Sequence, residues 1–384
     1  MILLLIAAVA FSLLVLAWIV YPAVMRLRAG ALGADVAQPA AAGEKVAVIL
    51  ATRDDPSFAV ARVNNLRTSR YPANLLRIVI GVDANSTFPL EAYRQALAGL
   101  ADVVAGDAGG GKALALNAAV RAAAGADVLV FADVGQEFNP DAIGLLVAAL
   151  RDGANGAATG RYTHGRHDEI MSVYADFEAV IRAGQAAGRS VVSATGAILA
   201  LKPSLWRDMP SGLICDDLFT GLSVVRQGAR VAFCPNAVAW DPRTFSRDQQ
   251  FARRVRTLTG LIQYCMLTPG VLLPWSNPVW GHFFLHKILR LLTPLLFGIG
   301  VAAAGAWVVL RAPVFALGFS GAALVVAGIA RIAAPATFRK LANEGRWALR
   351  LMFVPVVAIW NGLRGRWSVW TPTSQVRANL HPGA

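Results

Sequence analysis

The stretch Val128-Leu129-Val130-Phe131-Ala132-Asp133-Val134-Gly135-Gln136 decides how this chain folds. A continuous apolar run of this kind, rich in β-branched residues, reads as a strand covered on both faces. It stops on one carboxylate, Asp133, and a glycine turn. Asn139-Pro140-Asp141 then reads as the opening of a helix, with Asn139 as its cap and proline in the first helical position. An acid at the carboxyl end of a buried strand stands where open α/β sheets bind ligands, although the plainer role of a turn cap is also available to it.

Outward from this strand the same grammar repeats. Val46-Ala47-Val48-Ile49-Leu50 and Ile78-Val79-Ile80-Gly81-Val82 are short apolar runs of strand type. Between them Phe58 to Leu66 has helical spacing closed by Tyr71-Pro72, and a further helix is expected to start near Lys112. Strands alternating with helices predict an α/β domain with a mainly parallel sheet and right-handed crossovers.

The 384 residues leave room for one domain of about 250 residues and additional membrane segments. The hydrophobic share of 56% is above that of an ordinary soluble enzyme. A net charge of +13 calls for an anionic partner. No nucleic-acid-binding motif is present, so nucleic acid is not expected, and a membrane surface or a phosphate-bearing substrate accounts for the charge. Cys215, Cys234 and Cys265 are odd in number and lack metal-binding spacing, which points to a reducing compartment.

Residues 1–25 carry no charged side chain and precede Arg26 and Arg28. They read as an uncleaved transmembrane anchor with the chain beyond it in the cytoplasm. Residues 26–43 read as a tether and 44–245 as the α/β domain. Residues 246–281 read as an interfacial region, with Phe251 to Leu267 as an amphipathic element at the membrane surface or, equally, an ordinary surface helix. Two spans, 291–310 and 313–330, are expected within 282–334. Residues 335–384 hold a basic loop, an apolar run over 351–363 that is short for a span, and a C-terminal tail placed in the cytoplasm.

Several further stretches carry chemistry. Thr52 and Asp55 follow the first strand, and Asp83 in Val82-Asp83-Ala84-Asn85-Ser86-Thr87 follows the second. Carboxylates at strand ends accept hydrogen bonds from hydroxyls or a base N–H, and turns of the same composition are common. Gly109-Gly110-Gly111-Lys112 precedes a helix, an arrangement that favours an anion or serves as a flexible connection. It fits most of a P-loop, but Ala113 lacks the hydroxyl that would hold magnesium. Asp216 and Asp217 begin a helix expected to end near Gly228, as partners of the helix dipole or as a general base. Gly196 lies in a small-residue loop, and Gln250, Arg253 and Arg254 stand in a basic cluster suited to phosphate.

Together, from about Lys45 to Arg254, these stretches resemble membrane-anchored family 2 glycosyltransferases of the GT-A type. The resemblance implies a GT-A, Rossmann-like domain that moves a hexose or N-acetylhexosamine, with inversion, from a nucleotide diphosphate sugar to a lipid or polysaccharide acceptor at the inner membrane. UDP is the expected nucleotide. It implies that Thr52, Asp55, Asp83, Lys112 and Asp133 bind the nucleotide sugar. Asp217, paired with Asp216, becomes the catalytic base, and Gly196, Gln250, Arg253 and Arg254 lie by the acceptor and diphosphate. The family's Asp-x-Asp metal motif is reduced here to Asp133, with Gly135 in place of the second acid, so a divalent ion, Mg or Mn, is expected with weakened affinity. The family's Gln-x-x-Arg-Trp motif ends here in Arg254. Trp367 and Trp370, with Thr371-Pro372-Thr373, echo the tail after the last membrane segment. A non-catalytic subunit of an envelope polysaccharide assembly complex is the rival reading.

Overall fold

The computed structural model describes residues 1–31, 43–164, 169–314, 329, 331 and 333–368. Helix α1 (Ile2–Ala31) opens the chain and runs past the expected end of the anchor. Strands β1 (Val46–Thr52), β2 (Leu76–Val82), β3 (Asp102–Ala105) and β4 (Val128–Ala132) follow, separated by helices α2 (Pro56–Arg67), α3 (Leu90–Ala96) and α4 (Lys112–Ala122). Then come β5 (Glu137–Phe138), α5 (Ala142–Leu150), β6 (Asn155–His164), α6 (Glu169–Gly188), β7 (Ile198–Leu201), α7 (Asp216–Arg226) and β8 (Arg230–Asp241). Helices α8 (Arg247–Leu267), α9 (Thr293–Arg311) and α10 (Pro335–Leu363) close the chain, with a short helical stretch over 280–291.

The strands form one sheet in the order β3-β2-β1-β4-β7-β6-β8-β5. The first four are parallel, as the alternation of strands and helices predicts. Beyond β4 the sheet is mixed: β7 runs antiparallel to β4 and β6, and β8 lies parallel to β6. The mainly parallel expectation thus holds for the N-terminal half. Alternate side chains of β1 explain why these runs are apolar throughout. Val46, Val48 and Leu50 enter one core, Ala47 and Ile49 the other, and helices cover both faces. Ile49 and Leu50 are fully buried, worth about 1.5–3 kcal/mol each relative to exposure.

Parallel register brings the carboxyl ends of β1, β2 and β4 to one edge of the sheet. The strand order reverses between β1 and β4, and a crevice opens there. One local reading needs correcting. Asp141, not Asn139, stands at the cap of α5, and Pro140 lies outside the helix. The Asn139 side chain is instead tied to β8, accepting from the Val238 N–H and donating to the Asn236 carbonyl. Cross-strand bonding outcompetes the cap.

Among the described residues, α1 and α9 are long and apolar enough to cross a membrane by length and composition. They pack side by side: the Trp18 Nε1–H donates to Thr293 Oγ1 at 2.9 Å, and the Phe11 ring lies against Gly300. The expected span 313–330 falls almost entirely outside the described residues. The 351–363 run is the last part of α10, which contains Pro355 and packs on α8.

Candidate active site

A cavity of about 480 Å³ opens at the carboxyl ends of β1, β2 and β4, within the range of small-molecule sites. Its floor is built by three backbone features. Thr52 ends β1 and is buried, its hydroxyl accepting from the Asp54 N–H. Asp83, just past β2, is buried and accepts from the N–H groups of Asn85 (3.0 Å) and Gly111 (2.6 Å). Gly109, Gly110 and Gly111 all have positive φ (101°, 69° and 96°), which only glycine adopts without strain, and a side chain at Gly110 would strike Asn85.

The glycine turn spends two of its three amides within the protein rather than on the anion cradle its composition suggests. The Gly110 N–H bonds the Asp107 carbonyl and the Gly111 N–H bonds Asp83. The turn also starts α4 at Lys112, and the first-turn amides of that helix have no intrahelical partners and are donors available to an anion.

Lys112 joins three elements. Its Nζ lies 2.7 Å from Asp133 Oδ1 at the end of β4 and 2.8 Å from Asp216 Oδ2 at the start of α7. Burial works against its charge, but the two carboxylates outweigh it and push its pKa up. Asp217 stands next to Asp216 but outside the lining of the cavity, against Gly196, where an added Cβ would sit 3.3 Å from the Asp217 Cβ. Burial, then the neighbouring Asp216 charge, raises the Asp217 pKa, opposed by the Leu218 N–H, Lys112 and Lys287. A carboxylate held in this way is a better proton acceptor than a free one.

The remaining expected residues divide. Arg253 lines the cavity, stacked over Phe245 at 4.0 Å, and burial lowers its pKa. Arg254 turns away to Tyr174, and the Gln250 side chain donates to the Phe245 carbonyl; neither lines the cavity. Asp55 caps α2 by accepting from the Ser57 N–H, and the acid that faces the cavity is Asp54. Sequence reasoning also missed Arg243 and Arg256, which line the cavity with Trp367 and Ser368. Arg243 had one legible signal: Asp241-Pro242-Arg243 at the end of β8 sets an acid and a base two residues apart.

Among the described residues, no group of three or more His, Cys, Asp or Glu side chains is arranged to hold a metal. Two oxygens nonetheless face the requirement of a hard cation. Among the described residues, Asp133 Oδ2 makes no protein hydrogen bond and Gln136 Oε1, on the cavity wall, is buried without a partner. That donor set fits an ion completed by phosphate oxygens and water.

No curated protein matches the sequence. The structure resembles a mannosyltransferase from Pyrobaculum calidifontis, solved in complex with GDP-Man and Mn2+, with a TM-score of 0.69 and 22% identity, covering 94% of this chain and 99% of that one. At that identity the likeness shows the fold, a GT-A-like mixed α/β sheet. Glucosyl-3-phosphoglycerate synthase from Mycobacterium tuberculosis, solved with Mn2+, UDP and glucosyl-3-phosphoglycerate, gives a TM-score of 0.42 at 16% identity over 58% of this chain and 80% of that one, too slight a likeness to argue from. The family described as "Glycosyltransferase like family 2" matches residues 42–260, more than half of the sequence, including the whole of the sheet and all of the cavity lining except Trp367 and Ser368. The chain belongs to that family and is a glycosyltransferase.

Proposed function

We propose that the chain moves a hexose or N-acetylhexosamine, with inversion, from a UDP-linked sugar to a hydroxyl of a lipid or polysaccharide acceptor at the cytoplasmic face of the inner membrane. The observation that carries this reading is the Lys112 bridge. One ammonium ties the end of β4 to the start of α7 inside a cavity that also holds the β1 and β2 strand ends. In this reading Thr52, Asp54 and Asp83 meet the nucleoside, and the first turn of α4 with Lys112, Arg253 and Arg256 meets the diphosphate. Asp216 fixes Lys112, and Asp217 takes the proton of the acceptor hydroxyl. The acceptor oxygen bonds to the anomeric carbon as the bond to the diphosphate breaks, and the leaving charge stays with the basic side chains.

Asp133 and Gln136 would hold Mg or Mn, which supplies extra charge neutralisation of the diphosphate. The two apolar helices α1 and α9 support a membrane setting, and their exposed Ile2, Leu5, Leu295 and Leu310 suit lipid. The catalytic domain is proposed to span 44–245, a reading supported by the family match over residues 42–260.

The test is Asp217→Asn assayed with labelled nucleotide sugars on native membranes. Turnover is expected to fall about 10²- to 10⁴-fold with nucleotide affinity retained. Unchanged turnover removes Asp217 as the base. Sorting the labelled product into lipid and polymer fractions identifies the acceptor.

A further inference from the structure

The position two residues after Asp133 is Gly135, and its space is taken. A Cβ placed there would lie 2.5 Å from Cζ, 2.6 Å from Nη1 and 2.7 Å from Nη2 of Arg243, so no side chain fits while that guanidinium stays. The guanidinium is firmly held. Its Nε and Nη2 donate to the two carboxylate oxygens of Asp241 at 2.8 Å each, and its backbone N–H reaches the same group at 3.0 Å. Asp241 is fully buried and also accepts from the Tyr162 hydroxyl (2.8 Å) and Gln136 Nε2 (3.0 Å). Burial alone would raise the Asp241 pKa; Arg243 instead holds it at about 2. The anchoring leaves Nη1 with no protein partner among the described residues, on a side chain that lines the cavity.

We propose that Arg243 is a diphosphate-binding residue, standing where a second metal-holding acid would stand, so that nucleotide binding rests more on this guanidinium than on the divalent ion. The inference rests on the glycosyltransferase reading above and deepens it. The Asp241–Arg243 pair is neutral in sum but oriented, with its anion sealed in the protein and its cation at the cavity wall. An aspartate at position 135 would have put a negative charge at the same place. The exchange turns a metal-holding wall into a phosphate-holding one, since arginine binds phosphate oxygens with paired N–H groups. Locked by Asp241, the side chain loses little freedom when a ligand arrives.

Calorimetric titration of UDP and of GDP into the detergent-solubilised full chain tests this, in excess EDTA and in Mn2+. Wild-type binding in EDTA is expected to stay within about tenfold of that in Mn2+, and Arg243→Gln to weaken the EDTA value about tenfold or more, the worth of a charged hydrogen bond. The wild-type arm needs no variant to fold, and far-UV circular dichroism checks the variants. In the double variant Gly135→Asp with Arg243→Ser, Mn2+ affinity read by electron paramagnetic resonance is expected to rise above wild type. Wild-type binding that vanishes in EDTA, an Arg243→Gln chain that binds like wild type, or unchanged Mn2+ affinity in the double variant each overturns the inference and leaves the glycosyltransferase reading standing. Failure of either nucleotide to bind wild type in any condition overturns both.

Discussion

Lys112, Asp133 and Asp216 form one charged cluster, at the wall of an open cavity. Glu178, His286 and Arg290 form another, shut between α1, α6 and the 280–291 stretch. In the closed cluster every group is sealed inside the protein, and Arg290 Nε and Nη2, without hydrogen-bond partners among the described residues, face aromatic rings rather than a cavity. Glu178 accepts from His286 (3.0 Å) and Arg290 (2.9 Å), Arg290 lies between the Trp18 and Phe177 rings, and Gln185 links Tyr21 to His286. Burial pushes the His286 pKa down to about 4, so the charged partner of Glu178 at neutral pH is Arg290. This cluster fastens the apolar N-terminal helix to the sheet domain. The open cluster has donors and acceptors still facing the cavity, where a diphosphate and an acceptor have to fit. Similar residue types serve two ends, and unspent bonding capacity beside a cavity tells them apart.

Substitutions sharpen the contrast. Lys112→Met is expected to have the largest effect on function, weakening nucleotide binding roughly a hundredfold because it leaves Asp133 and Asp216 unpaired, as titration of UDP reads. Glu178→Ala is expected to cost roughly 3–5 kcal/mol of stability by stranding Arg290, with nucleotide affinity of the folded protein unchanged. A loss of affinity equal to that of Lys112→Met would erase the distinction between the clusters. The next effect is one of pH. Because the folded His286 pKa is about 4, below its ordinary 6.5, the unfolded chain binds the extra proton between those values. Stability therefore falls as pH drops from 6.5 towards 4, by about 1–3 kcal/mol, and His286→Asn should flatten that slope in thermal unfolding. Asp217 has the opposite shift: its raised pKa places the acid limb of turnover above the 3.8 of a free aspartate. Smallest is Arg350→Ala, which breaks an exposed pair with Asp248 and should change stability by under about 1 kcal/mol.

The parts of the site that were legible in the sequence are local ones. A buried strand ending in Asp133, a glycine run before Lys112 and an acid pair at a helix start each announce themselves within ten residues, and the structure brings Asp133, Lys112 and Asp216 together. What stayed hidden depends on distant partners. Whether Asp54 or Asp55 faces the cavity is decided by which one caps α2. Arg243 reaches position 135 only because β8 returns through the mixed half of the sheet, a topology that alternation of strands and helices does not encode. Asn139 reads as a cap locally and is claimed by β8 across the fold.

The most direct measurement is an experimental structure of the full chain with UDP and Mn2+. The diphosphate is expected within hydrogen-bond reach of Lys112 Nζ and the first-turn amides of α4, with Asp217 on the far side of the bridge, open to an acceptor. Nucleotide bound elsewhere, or a diphosphate turned away from Lys112, contradicts the account.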